Sequence, residues 1–110
     1  MRKVIPLAVV LLALLFLGSC SYKGTLLIYN ELTAPELITD LYVYPLGSPD
    51  TYNEISSPLE HGDMVTVYAI DPGDTVVEAK TDQDNTAWKI VLVEDGHVHD
   101  VYIYNSDIDN

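Results

Sequence analysis

Three groups of side chains in this chain have the type and spacing to do chemistry, and each points to a different kind. The first is "TDQDN", where Asp82, Asp84 and Asn85 set oxygen ligands close together in a tight connection. Alternating oxygen ligands are what a Ca²⁺ loop uses, but the following Gly, the distal Glu and the helical flanks of an EF-hand are missing. As hairpin-turn residues, Asp and Asn need no metal to explain them. A second acidic pair, Asp71 and Asp74 around "PG", gains weight only if the fold brings it to the same end as the first, with Asp107 or Asp109. The second group is "HVHD": His97 and His99 lie two apart, so on a strand they share a face and could clamp Zn²⁺. Asp100 points away, and His61 completes a three-ligand set only if its loop lies nearby. Two partly exposed imidazoles at a strand start are the plainer reading. The third group is tyrosine, eight in all, with Tyr42 and Tyr44 on one face of a strand and Tyr102 and Tyr104 on one face of another. If those strands are neighbours, the four rings make an aromatic platform for a glycan, a peptide or a protein. Tyrosine at exposed strand positions is also ordinary β-propensity.

No enzyme signature accompanies these groups. The chain has no G-x-S-x-G elbow, no H-E-x-x-H and no phosphate-binding Gly-rich loop. The expectation is a protein that is not an enzyme and holds no resident cofactor, with Ca²⁺ or Zn²⁺ as the alternative.

The elements that must position these residues read as strands. Apolar and polar residues alternate with period two, and no helical stripe competes with them. Candidate strands are 25–30, 37–44, 64–70, 75–81, 86–94 and 98–105, rich in Val, Ile, Thr and Tyr. Turn chemistry separates them in "TAPE", "LEHGD", "DPGD", "DQDN" and "EDGH". Short strands at this spacing predict an all-β fold: one small antiparallel β-sandwich of six to seven strands, Greek-key in type. Alternation places Thr75, Val77 and Ala79 inward, with Glu78 and Lys80 outward. Leu27, Ile38, Leu41, Val43, Val65, Val67, Val77, Trp88, Ile90 and Ile103 are the expected core, with Leu92 on the Trp88 side. The long stretch 45–62 is irregular. Ser48-Pro49-Asp50 could start one helical turn there, tucking Tyr52 and Ile55 onto the sandwich. Tyr42, Tyr44, Tyr52, Tyr102 and Tyr104 are the candidate binding surface.

The one cysteine, Cys20, follows an apolar run that begins after Arg2 and Lys3. A basic start, a short apolar stretch and small residues before a cut site describe an export signal. The run is short of the about 20 residues that span a bilayer. Leu17-Gly18-Ser19-Cys20 resembles the bacterial lipobox. That resemblance implies removal of residues 1–19 and acylation of Cys20, which would anchor the mature protein in a membrane through lipid. A lone cysteine cannot form a disulfide within its own chain. The expected organisation is a signal peptide over 1–19, a lipidated tether over 20–24, the sandwich over 25–105 and a tail over 106–110. Ser21 puts no aspartate retention signal after Cys20. By resemblance to Gram-negative sorting this favours the outer membrane, and in another envelope type the cell surface.

Without residues 1–19 the chain keeps three lysines against all 17 acidic residues. So negative a surface repels nucleic acid and excludes it as a partner. It suits a cationic protein partner in the envelope, although solubility alone can account for such charge. Finally, "LITDLYVYPLGSPD", then Tyr52, "LEHGDMVTV" and "DPGDTVVEAKTDQDN" resemble a recurrent small β-sandwich of bacterial secreted proteins and lipoproteins. The resemblance implies an immunoglobulin-like or prealbumin-like sandwich and carries no catalytic residues.

Overall fold

The computed structural model describes residues 22–109; residues 1–21, with the expected signal segment and Cys20, and Asn110 lie outside the described residues. Six strands form where alternation places them: β1 (Gly24–Asn30), β2 (Ile38–Pro45), β3 (Met64–Ile70), β4 (Gly73–Thr81), β5 (Thr86–Val93) and β6 (Val98–Ile103). One turn of 3₁₀ helix, Asn105–Asp107, follows β6. The stretch at Ser48-Pro49-Asp50 is not helical: Ile55 is buried as expected, but Tyr52 stays exposed. Among the described residues, no helix is long and apolar enough to cross a membrane.

The strands divide into two three-stranded sheets, ordered β3–β1–β6 and β2–β4–β5. The two sheets bury a shared core, so the expected all-β sandwich is the fold. Three of the four strand pairings are antiparallel, and β1 with β6 is parallel. The reason lies in the connection. β5 ends at Val93 beside the start of β1, and the turn at Gly96 crosses to the other sheet at that same end. β6 therefore begins opposite Thr25 and runs with β1. Gly24 makes the crossing possible, because a methyl group on it would collide with Val93 Cγ1 of the opposite sheet. A bulge in β3 opposite the start of β1, with Ala69 at φ 59°, closes this end.

The core comes from the inward positions of both sheets: Leu26, Ile28, Val67, Val101 and Ile103 from one, Ile38, Leu41, Val77, Ala79, Ala87 and Val93 from the other. Leu32, Ile55 and Leu59 cap it from the loops, and Val43 and Val65 pack against it part-buried. Three expected core residues are placed elsewhere. Leu27 sits on the outer face of β1, because Leu26, Ile28 and Asn30 take the inward positions. Trp88 and Ile90 also face outward, with Leu92, leaving Ala87, Val91 and Val93 on the inner side of β5.

Lys89 explains the inversion of β5. It occupies an inward position opposite Val77, where a charge is unexpected. Its stem follows the seam between β5 and β6, and its Nζ emerges to donate to Tyr102 O at 2.8 Å and Asp107 Oδ2 at 3.3 Å. A long cationic side chain can cover apolar surface while keeping its head wet.

The end of the sandwich remote from the start of β1 is held by buried polar groups. Glu36 Oε2 accepts from Thr81 Oγ1 at 2.6 Å and from Asn85 Nδ2 at 2.8 Å, while Asp82 Oδ1 accepts from Leu37 N at 2.9 Å. These bonds fasten the 31–37 loop onto the β4–β5 turn.

Candidate functional site

Two solvent-facing surfaces carry the aromatic residues, one on each sheet. On the β1–β6 face, Tyr29 and Tyr102 are opposite one another in the parallel register and stack with centroids 4.7 Å apart and planes 16° from parallel. Tyr104 continues the stack, 6.1 Å beyond Tyr102. Lys89 Nζ lies 5.2 Å from the Tyr104 centroid, a cation–π contact that helps fix the outer ring. Tyr29 Oη donates to Asp100 Oδ1 at 3.3 Å; burial and the nearby carboxylate raise its pKa. The outcome is a row of three rings, two of them more than a third exposed, on an otherwise regular strand pair. Tyr102 and Tyr104 share a face as expected. Tyr29 is the member the sequence hides, because placing Leu27 in the core turns Tyr29 inward with it.

Tyr42 and Tyr44 belong to the other sheet, so the four paired tyrosines do not form one platform. On the β2–β4–β5 face, Tyr42 lies opposite Glu78 with Lys80 Nζ 5.8 Å from its ring, and Tyr44 lies opposite Val76. Tyr44 is almost fully covered and donates to Glu78 Oε1 at 2.9 Å. Burial first, and then that bond to a carboxylate, push its phenol up to about 12. An unfolded tyrosine ionises near pH 10. The stability contributed by neutral Tyr44 is therefore complete below about pH 10 and is lost as pH rises through about 12. Tyr29 is raised too, so a phenolate absorbance titration is expected to show Tyr44 as the last tyrosine to ionise, at about 12, and Tyr44→Phe is expected to remove that last step. A step at about 12 that survives the substitution would refute the assignment.

Next to Tyr44 the same face is apolar. Leu46, Pro49, Val76, Trp88 and Ile90 line a shallow trough of about 400 Å³. Trp88, Ile90 and Leu92 project side by side from β5, from two-fifths to three-fifths exposed.

No family model, curated protein or solved structure matches this chain. The candidate sites rest on the geometry alone.

The acidic turns and the histidines are kept apart by that geometry. Asp82, Asp84 and Asn85 form the β4–β5 turn, and Asp71 and Asp74 lie at the opposite end of β4. Each residue in the first turn is accounted for locally, since Asp82 holds Leu37, Asn85 holds Glu36, and Asp84 adopts φ 63°. Asp tolerates that left-handed conformation better than most residues. Asp71 pairs with Lys23 and Asp107 with Lys89. His97 and His99 are neighbours, with ring centroids 6.2 Å apart. His99 turns Nε2 inward, where it has no hydrogen-bond partner and lies 3.8 Å from Glu94 Oε1. His61 is at the other end of β1, with Nδ1 2.7 Å from Leu32 O. Among the described residues no group of three or more His, Cys, Asp or Glu side chains is placed to hold a metal ion.

Proposed function

We propose that this chain is a lipid-anchored lipoprotein of the cell envelope whose β-sandwich is a binding module for a protein partner. The observation that carries the binding role is the exposed stack of Tyr29, Tyr102 and Tyr104. Tyrosine gives large contact area with few rotatable bonds and a polar tip, which is why it is enriched at protein interfaces. The stack is held in place before any partner arrives, by ring-on-ring contact, by Asp100 and by Lys89. Carboxylates surround the nearby end of the sandwich, with Glu60, Asp63, Asp82, Asp84 and Asp109 exposed there. A partner with a cationic rim and an apolar centre complements that surface, since charge steers the encounter and the rings supply contact area.

The anchor half of this reading rests on the lipobox resemblance at Cys20, and the absence of Asp at position 21 favours an outer-membrane or cell-surface address. Cys20→Ala is expected to leave the protein unprocessed and without fatty acid. For the module, Tyr102→Ala with Tyr104→Ala is expected to weaken partner binding at least about tenfold, as loss of a central aromatic cluster does. Tyr52→Ala, exposed in the irregular stretch after β2 and outside the stack, serves as control. Equal binding by both variants, with melting curves unchanged, would refute the assignment of the stack.

A further inference from the structure

The outer face of β2–β4–β5 has a polarity that the binding role does not use. Going along β5 towards the start of β1, the exposed side chains are Trp88, Ile90 and Leu92, and Leu46 joins them from the loop after β2, its backbone N bonded to Asp74 O. Tyr22, Tyr68 and Val98, also strongly exposed, ring the same end of the sandwich. The opposite end carries exposed Glu60, Asp63, Asp82, Asp84 and Asp109. Contiguous exposed apolar surface on a small domain marks a contact site, and here it is concentrated at one end.

We propose that this apolar half-face rests on the surface of the bilayer that carries the anchor, a proposal that builds on the lipoprotein reading of Cys20. The tether is the first argument. Cys20 precedes Gly24 by four residues, and an extended chain covers at most ~3.6 Å per residue, so the start of β1 stays within roughly 14 Å of the lipidated cysteine. The end so held is the apolar one. A tether of this length also keeps the face at high effective concentration against the membrane, so a patch too weak to bind alone suffices.

Charge is the second consideration. Seating the apolar end on lipid turns Glu60, Asp63, Asp82, Asp84 and Asp109 away from the bilayer, whereas Asp71, Glu94 and Asp95 are exposed around the tethered end, Asp71 paired with Lys23. The outer face itself carries two further acidic residues. Glu78 is bonded to Tyr44 Oη, and Asp74 lies opposite Leu92. Both fit a shallow position among hydrated headgroups and not one within the hydrocarbon. Trp88 and Tyr44 are residue types that favour this interfacial depth. The surface therefore prefers zwitterionic to anionic lipid. A second copy of the chain is a poorer occupant, because each copy is strongly negative and the start of the β5 edge is already covered by Ile108 and Asp109.

The sequence supplies its own probes, one thiol and one tryptophan. The chain from Cys20 onward contains every residue of the core. Its thiol can be coupled to a maleimide lipid in phosphatidylcholine vesicles with brominated acyl chains. Trp88 emission is expected to shift blue and to lose part of its intensity, relative to the same protein on vesicles without bromine. Ile90→Asp with Leu92→Asp, both at exposed positions, is expected to restore the emission while the melting curve is kept. Phosphatidylglycerol in the vesicles is expected to lessen the quenching. Equal emission on brominated and plain vesicles would overturn the proposal. So would a Trp88 shift that appears without lipid as protein concentration rises, which would assign the face to a second copy. Chemical coupling does not depend on cellular lipidation, so the two readings fail separately: fatty-acid labelling of Cys20 in cells tests the anchor, and bromine quenching tests the seat.

Discussion

Ile28→Ala is expected to lower the free energy of unfolding by about 2–5 kcal/mol, whereas Ile90→Ala is expected to change it by no more than about 0.5 kcal/mol. The two isoleucines look alike in sequence, each inside a strand with apolar neighbours. Ile28 is fully buried on the middle strand of its sheet, with β3 on one side and β6 on the other. Truncating it removes most of the side chain's contacts and leaves a hole that strands fixed on both sides cannot close. Ile90 is 61% exposed on the outer face of an edge strand, and its truncation opens no cavity. Urea unfolding of both variants in lipid-free solution decides the matter, because a midpoint shift at constant slope is a stability change. Comparable losses would mean that β5 faces the other way, and the apolar seat would disappear with it.

That pair also shows which parts of the fold can be read from the sequence. Strand existence is legible because alternation and turn residues reinforce one another, and β3 is found at its observed bounds. Facing is legible where a charge or a small residue breaks a tie, as in β4, where Glu78 and Lys80 turn Thr75, Val77 and Ala79 inward. It fails in β1, where Leu26 and Leu27 are equally apolar and the deciding residue is a buried Asn. It fails in β5, where a lysine holds an inward position by running its stem along the seam. In both cases a polar residue lies on the core side, which the rule of apolar in and polar out cannot represent.

The candidate site divides in the same way. Tyr102 and Tyr104 share a face, as Tyr42 and Tyr44 do, since that follows from strand geometry alone. Which strands are neighbours is a long-range property. The parallel pairing of β6 with β1 brings Tyr29 against Tyr102 and puts Tyr42 and Tyr44 on the other sheet. Nothing local to "VYIYN" reports on a partner strand at the far end of the chain. The trough beside Trp88 is hidden for a simpler reason: apolar strand residues are assigned to the core by default, so an apolar outer face appears only once the core is seen to be complete without it.

The second large effect is at Asn30, the buried polar residue that misdirects the facing of β1. Its side chain is fully enclosed; Nδ2 donates to Leu59 O at 2.7 Å and Glu36 O at 3.3 Å, and Oδ1 accepts from Leu32 N at 2.9 Å. One amide thus joins the end of β1 to the 31–37 loop and to the segment that bridges Ile38 through Leu59. Asn30→Ala leaves Leu32 N and Glu36 O without partners, while Leu59 O keeps its bond from Ile38 N, and each unpartnered buried group costs about 1–3 kcal/mol. A total loss of roughly 2–5 kcal/mol is expected, a large share of a small domain's stability. Asn30→Asp separates this hydrogen-bonding role from simple packing. The carboxylate is nearly isosteric but directs negative oxygen at two carbonyls, so folding favours its protonated form and raises its pKa above the unfolded value. A group with a raised pKa stabilises the fold at low pH and loses that contribution as pH rises. The deficit of Asn30→Asp should therefore shrink as pH falls towards about 4, near the ordinary carboxylate range, while the deficit of Asn30→Ala should not follow that trend. If both variants lose the same stability at every pH, Asn30 fills space at the end of β1, and the loops are held there by their apolar residues Leu32, Ile55 and Leu59.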